Sequence, residues 1–370
     1  MEAWEKVLVS ESFVGSEPHG KSCVSCHLGD DEAAVKAEAH AGMIADPSAW
    51  DSPACRECHA DEVENHAASL HATQNGYHTM FDLRGAGPAG QVDAMFEARC
   101  ASCHTTCGQC HISRPNAIGG GVVNGHQVLR RPSQQDNCTA CHGSRVGNEF
   151  RGENKLGDTP IPADAHYLKL MNCGHCHDGA ELHGDGTTPD SRYHAPGAAN
   201  CLDCHPEVES DSNLWHSFHA RATSAEQLSC QVCHAQSYKN CYGCHVQTDR
   251  QGLRHPSRID FRIGRNPAPD TAHPWDWVVL RHIPIAEDTF GPWGIAMSSY
   301  AALPTWRMAT PHNIRKRTSQ AYPGSGACSS ACHDREELFL TEAYIDLLIQ
   351  QGVMSTSERE ANQGVIATLR

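Results

Sequence analysis

Apolar positions along this chain seldom keep a regular period for long, so the pattern predicts short elements joined by irregular connections. Residues 33–43 are alanine-rich with one polar face and predict a helix. A second helix is predicted over 341–351, with Thr341 as N-cap, Glu342 in the first turn and Gly352 just beyond the end. Period-two alternation is scarce, and 276–280 is the stretch that reads as a strand. No run approaches the roughly 20 apolar residues needed to cross a bilayer. The start, Met-Glu-Ala-Trp-Glu-Lys, lacks the basic-then-apolar pattern of a secretory leader. Beyond residue 245, Arg250, Arg254, Arg258, Arg262 and Arg265 alternate with Gly252, Pro256, Gly264, Pro267 and Pro269, which reads as an extended connection. Trp275, Trp277, Trp293 and Trp306 follow. They are expected to form a small satellite core or a flap that delivers ligands to the main body, and the two readings are compatible.

Cysteine changes this picture. The chain has 20 cysteines in 370 residues, all in short-range pairs. Nine pairs have the form Cys-x-x-Cys-His: Cys23/Cys26/His27, Cys55/Cys58/His59, Cys100/Cys103/His104, Cys107/Cys110/His111, Cys138/Cys141/His142, Cys173/Cys176/His177, Cys201/Cys204/His205, Cys230/Cys233/His234 and Cys241/Cys244/His245. The tenth, Cys328/Cys332/His333, has one extra residue between its cysteines. This is the attachment signature of c-type haem. Two thioethers reach the same edge of one porphyrin, and the histidine after the second cysteine supplies the proximal nitrogen to iron. Ten haem c groups are therefore expected.

Competing readings fit less well. A zinc site uses paired cysteines but needs no histidine directly after the second. With 26 histidines in 370 residues, ten such placements by composition alone have a chance on the order of 10⁻¹². A disulfide framework spaces its cysteines across longer loops of a smaller domain, and a redox Cys-x-x-Cys occurs once rather than ten times.

At 40.3 kDa, with 39% hydrophobic residues and 31 glycines, the chain is modestly supplied for an apolar core. The core is expected to be mainly porphyrin, and folding without haem is expected to fail. A formal charge of −15, deepened by haem propionates, argues against nucleic acid and against anionic lipid. It leaves basic redox proteins or a mineral surface as partners.

Motif spacing bears on electron transfer. Only Thr105 and Thr106 separate His104 from Cys107, and the eighth and ninth motifs are nearly as close, so those haems are expected to lie almost in contact. A second axial ligand decides between wire and enzyme, because an iron held by two imidazoles passes electrons but does not readily bind substrate. Sixteen histidines lie outside the motifs. The ten candidates for distal ligands are His19, His40, His71, His126, His166, His183, His216, His219, His282 and His312. His216 and His219, three apart, share a face if helical and suit two adjacent haems. His66, His78, His194, His255 and His273 are reserves, and His175 lies too close to its own motif to serve it.

The runs at 100–115, 119–126 and 138–145, with Arg-His-Ile-Pro-Ile-Ala at 281–286 and Thr-Pro-His-Asn-Ile at 310–314, resemble multihaem cytochromes of anaerobic, metal-respiring bacteria. The resemblance implies that His126, His282 and His312 are distal ligands. More distantly the layout is similar to octahaem tetrathionate reductase and hydroxylamine oxidoreductase. Their catalytic marks, a Cys-x-x-Cys-Lys motif and a haem-crosslinked tyrosine, have no counterpart here, where every motif ends in histidine.

The fold class expected is that of a multihaem cytochrome c: mostly short helices and irregular loops wrapped around a haem chain, with little β structure. Three segments are expected: a nine-haem body over 1–245, a haem-free extended and Trp-containing segment over 246–327 supplying distal ligands, and the tenth haem site with the C-terminal helix over 328–370. The expected function is electron transfer through ten bis-histidine haems, a carrier rather than an enzyme, in periplasmic or extracellular anaerobic respiration. Its acceptor would be another cytochrome, a metal oxide or an electrode. Residue 1 then starts a mature or renumbered secreted chain. Polymerisation through His19 reaching a neighbouring subunit is an open variant. The alternative is an oxidoreductase acting on small nitrogen or sulfur oxyanions at one five-coordinate haem.

Overall fold

The computed structural model describes the chain apart from residues 1, 3–7, 14, 50–52, 100–104, 124, 153–160, 211–213, 220–225, 237–259, 284, 323–327 and 370. Short helices and loops dominate, with a small antiparallel sheet. No helix of the described residues is long and apolar enough to cross a membrane. One compact unit comprises 1–79, 100–143 and 172–198, and the other comprises 80–99, 144–171 and 199–370.

The first unit carries the first six motifs, yet it has little apolar interior. Among its described residues only Val63 and Val123 are buried hydrophobics. A protein of about 150 residues ordinarily buries about two-thirds of its surface on folding, and two aliphatic side chains cannot supply that. Its helices are short for the same reason, since no continuous apolar stripe is present to dock them. The helix expected over 33–43 is reduced to the turn Lys36–Ala39. Asp30 N takes the Ala39 carbonyl at 3.0 Å, and Gly42 turns the chain away at φ 73°.

The second unit holds a conventional core. Strands β1 (Arg262–Arg265), β2 (Trp277–His282) and β3 (Trp306–Met308) form the sheet in that order. Arg262 pairs with Leu280, and His282 with Trp306. β2 begins one residue after the start of the strand expected at 276–280 and runs two residues further. Gly264 lies where any Cβ would strike Leu280 and stand 2.5 Å from the Val365 carbonyl oxygen, so this crossing requires glycine. Ile263, Trp277, Val279, Ala309 and Phe339 pack together around the sheet. Phe81, Met95, Phe290, Ile295, Met297 and Tyr300 form a second cluster, with Trp293 against it. The tryptophan-rich stretch thus contributes to both clusters.

The helix expected over 341–351 is Glu342–Gln350. Thr341 Oγ1 accepts the Tyr344 N–H at 3.3 Å, Ile345 and Leu348 are buried, and Gly352 ends the helix at φ 71°. Cap, buried stripe and left-handed glycine together account for the predicted boundaries.

Candidate metal centres

Each Cys-x-x-Cys-His sequence is a local structure as well as a motif. Positions i, i+3 and i+4 of a helix share a face, so one turn sends both thiols and the imidazole the same way. The chain is helical over Cys23–His27, Cys107–His111 and Cys230–His234. It makes tighter turns at Cys173–His175 and Cys201–Asp203. Thr106 caps the fourth motif by accepting the Gln109 N–H at 3.4 Å, and Asn200 caps the seventh through the Leu202 N–H at 2.9 Å. In the tenth, Cys328–Ala331 is helical and Cys332 follows in a turn. Cys100, Cys103 and His104 of the third motif, and Cys241, Cys244 and His245 of the ninth, lie outside the described residues, as does His255.

Six of the described cysteines, Cys23, Cys26, Cys58, Cys176, Cys201 and Cys204, are exposed, and none of those described is in a disulfide. Cysteine is ordinarily among the most buried residue types. These thiols therefore act neither as core packing nor as cross-links.

The second cysteines of the fourth, fifth and eighth motifs stand differently. Cys110, Cys141 and Cys233 are half-buried, and burial pushes the Cys110 thiol up. Local packing shapes the fifth and eighth motifs. The fifth motif straddles two turns, with Cys138 closing the wide turn Gln134–Cys138 and Cys141 on the next, Thr139–His142. The eighth is docked on the sheet cluster through Val232, and the Cys233 carbonyl accepts the Thr318 hydroxyl.

Histidines outside the motifs come to face histidines inside them. The ring centres of His27 and His126 are 5.9 Å apart. His59 and His19, His111 and His183, and His205 and His166 are each separated by 6.2 Å. His142 and His71, His234 and His216, and His333 and His219 are each at 6.3 Å. Seven motifs thus acquire an opposing imidazole, each from within its own compact unit.

The spacing carries chemical information. Two imidazole nitrogens each about 2 Å from one metal ion, with roughly 1.1 Å from nitrogen to ring centre, set the centres about 6.2 Å apart. Interplanar angles meanwhile scatter from 16° for His19–His59 to 78° for His71–His142. A metal axis fixes the separation and leaves rotation about itself free, whereas ring stacking would restrict the angle as well. A facing pair supplies two ligands on one line, which suits a metal whose four other positions are filled by a planar macrocycle.

The outer nitrogens are anchored. His27 Nδ1 donates to Ile44 O at 2.8 Å, His111 Nδ1 to Leu129 O at 2.6 Å, and His234 Nδ1 to Arg315 O at 3.0 Å. His177 Nδ1 meets Glu181 Oε2 at 2.8 Å, His205 Nδ1 meets Glu207 Oε1 at 3.3 Å, and His166 Nδ1 meets Asp164 Oδ1 at 2.9 Å. A proton held on Nδ1 leaves the Nε2 lone pair for a metal, and such partners orient ligating imidazoles. Burial, followed by the nearby imidazoles, holds His19, His126, His183 and His219 below the usual imidazole range. His71 is pushed down to about 4, chiefly by burial. The neutral, ligating form is favoured in each.

Motifs also meet at their cysteines. The thiols of Cys55 and Cys107, of Cys138 and Cys173, and of Cys201 and Cys230 are in hydrogen-bond contact. These contacts join the second motif to the fourth, the fifth to the sixth, and the seventh to the eighth.

Three candidate ligands have other surroundings. His40 is exposed at the end of the Lys36–Ala39 turn. His312 sits at the surface with Nδ1 donating to Thr310 O at 2.9 Å. His282 is buried against Trp306, and its Nε2 lies 3.1 Å from Glu358 Oε1. His19 faces His59 within the chain.

The carboxylates around these sites were not singled out from the sequence. Asp164, Glu181 and Glu207 stand two before, four after and two after a candidate or motif histidine, and that spacing was the available signal. Glu149 had none. It is fully buried, accepts the His312 N–H at 3.0 Å, and is pushed up to about 7, chiefly by burial and against the pull of Arg145. Its ordinary value is 4.5, so between pH 4.5 and 7 the folded chain binds more protons than the unfolded one. Stability from this group therefore falls as pH rises through that window and stays low above it. Glu149→Gln is expected to gain on the order of 3 kcal/mol at pH 8 and little at pH 4. Urea unfolding at both pH values checks this, and an equal effect at the two would contradict it.

No family model, no curated protein and no solved structure matches this chain.

Proposed function

We propose that this chain is a multihaem c-type cytochrome that transfers electrons, with each of its ten motifs binding a haem through two thioethers and a proximal imidazole. The observation that carries the proposal is the set of seven facing imidazoles at 5.9 to 6.3 Å. On this reading His126, His19, His183, His71, His166, His216 and His219 are the second ligands at motifs one, two, four, five, seven, eight and ten. Bound haem supplies a reversible one-electron couple at iron. At the seven motifs with a facing pair, the chain's two imidazoles would hold the group from both sides and would leave no open position there for a small substrate. The chain also holds the ligating nitrogens deprotonated through their Nδ1 partners.

Two further observations support the reading. The sparse apolar interior of the first unit suits a core completed by porphyrins, as the composition suggests. The thiol contacts between motifs would set the porphyrin edges of those pairs side by side, and short edge-to-edge gaps favour electron exchange. Because haem is joined to such motifs on the far side of the cytoplasmic membrane, we place the protein in the periplasm or outside the cell. Its partners would be other redox proteins or a solid acceptor such as metal oxide.

The intact mass of purified protein is expected to exceed that of the polypeptide by ten haem groups. Its oxidised form is expected to show only low-spin ferric iron in electron paramagnetic resonance. A mass equal to the bare chain ends the proposal. A stoichiometric high-spin signal would move it to the rival, an oxidoreductase for small nitrogen or sulfur oxyanions.

A further inference from the structure

Not all facing pairs are electrostatically alike. His27, His111 and His234 give their Nδ1 protons to neutral backbone carbonyls. In the pair formed by His166 and His205, whose ring centres are 6.2 Å apart, both Nδ1 atoms face carboxylates. Asp164 Oδ1 is 2.9 Å from His166 Nδ1, and its side chain is 2% exposed. It also accepts the His166 N–H at 2.7 Å, while its Oδ2 accepts the Ile314 N–H at 2.5 Å. Glu207 Oε1 is 3.3 Å from His205 Nδ1, with its side chain 67% exposed.

Resting on the proposed haem ligation, we propose that Asp164 and Glu207 are positioning residues that together hold the seventh site at a low reduction potential. A carboxylate at Nδ1 makes the imidazole a stronger donor and adds negative charge on the metal's axis. Both effects favour ferric over ferrous iron. Reduction of this site takes one electron from a reduced neighbouring haem, which becomes ferric. No bond is made or broken, and the Nδ1 protons stay in place. Asp164 acts more strongly than Glu207, because water and salt screen the exposed partner. The seventh and eighth motifs meet at Cys201 and Cys230, so this tuning sets the direction in which electrons move between those two sites.

A purely structural role for Asp164, tying backbone at His166 and Ile314, is the competing account. It predicts lost stability and an unmoved potential. The test is a spectroelectrochemical titration of the full-length holoprotein, with haem content measured by mass. Asp164→Asn keeps the shape and removes the charge. It is expected to shift one-tenth of the absorbance change to more positive potential and leave nine-tenths unmoved. Glu207→Gln, at a side chain 67% exposed, is expected to shift the same tenth in the same direction by less. If Asp164→Asn loads fewer than ten haems, Glu207→Gln decides. Ten haems with an unmoved curve in the deciding variant overturns this inference alone. Wild-type protein without haem overturns both this inference and the proposed function.

Discussion

Alanine at both His216 and His219 is expected to convert two of the ten irons from low-spin to high-spin, with each single substitution converting one. Both histidines lie on the helix Leu214–His219, three residues apart, and their rings stand 6.3 Å from His234 and His333 respectively. Residues at i and i+3 share a helix face, so on the proposed reading a helix of six residues would serve two metals. Loss of an imidazole also removes electron donation to iron, and the two affected sites should titrate at more positive potential. Added imidazole should restore the low-spin signal, because the fold around the gap is otherwise kept. Electron paramagnetic resonance integrated against total iron reads the outcome. A fully low-spin double variant would show that these histidines are not ligands. His282→Ala is the control, since its Nε2 is engaged by Glu358, and it should leave every iron low-spin.

The second large effect is on stability and lies in the same unit. Glu358→Ala is expected to cost about 2–4 kcal/mol, read as a shift of the denaturant midpoint, with no change of iron spin state. Glu358 is buried, its Oε1 meets His282 Nε2 at 3.1 Å, and its Oε2 accepts the Ser355 N–H at 3.0 Å. Ser355 Oγ accepts the Glu358 N–H in return at 3.2 Å, so one side chain closes a capping box and ties the helix Thr356–Asn362 to β2. Asn362 ties the same helix to β3, accepting the Trp306 N–H at 2.8 Å. Truncation leaves a buried imidazole nitrogen without its acceptor and releases one of these two ties. A loss below about 0.5 kcal/mol, the scale of an ordinary surface substitution, would contradict this account.

The difference between His219 and His282 shows how much of the site was legible beforehand. Both are non-motif histidines, and sequence reasoning proposed both as ligands. For the pair 216 and 219, helical spacing alone implied two neighbouring metals, and the helix places them opposite two different motifs. For His282 the deciding fact is that β2 runs through a core, with Leu280 and Val278 buried beside it. Nothing local to 281–286 says that Glu358, 76 residues later, takes its nitrogen. His40 is placed by nearer contacts. Its helix was expected to run to 43, but the Ala39 carbonyl is claimed by Asp30, and the ring is left at the surface.

What the sequence alone determined is local chemistry: which residues form each motif, that two thiols and an imidazole share one helical face, and where the capped helix 341–351 begins and ends. Those features depend on atoms within about one helical turn, so spacing contains them. The tertiary structure alone decided the pairing. Motif two takes His19, motif one takes His126, and the second motif meets the fourth at their thiols although the third lies between them in sequence. It also decided the carboxylates behind His166 and His205, and the split between a unit nearly bare of apolar core and one built around a sheet. Such contacts mostly join residues tens to hundreds of positions apart, and only chain closure around a shared interior brings them within bonding distance.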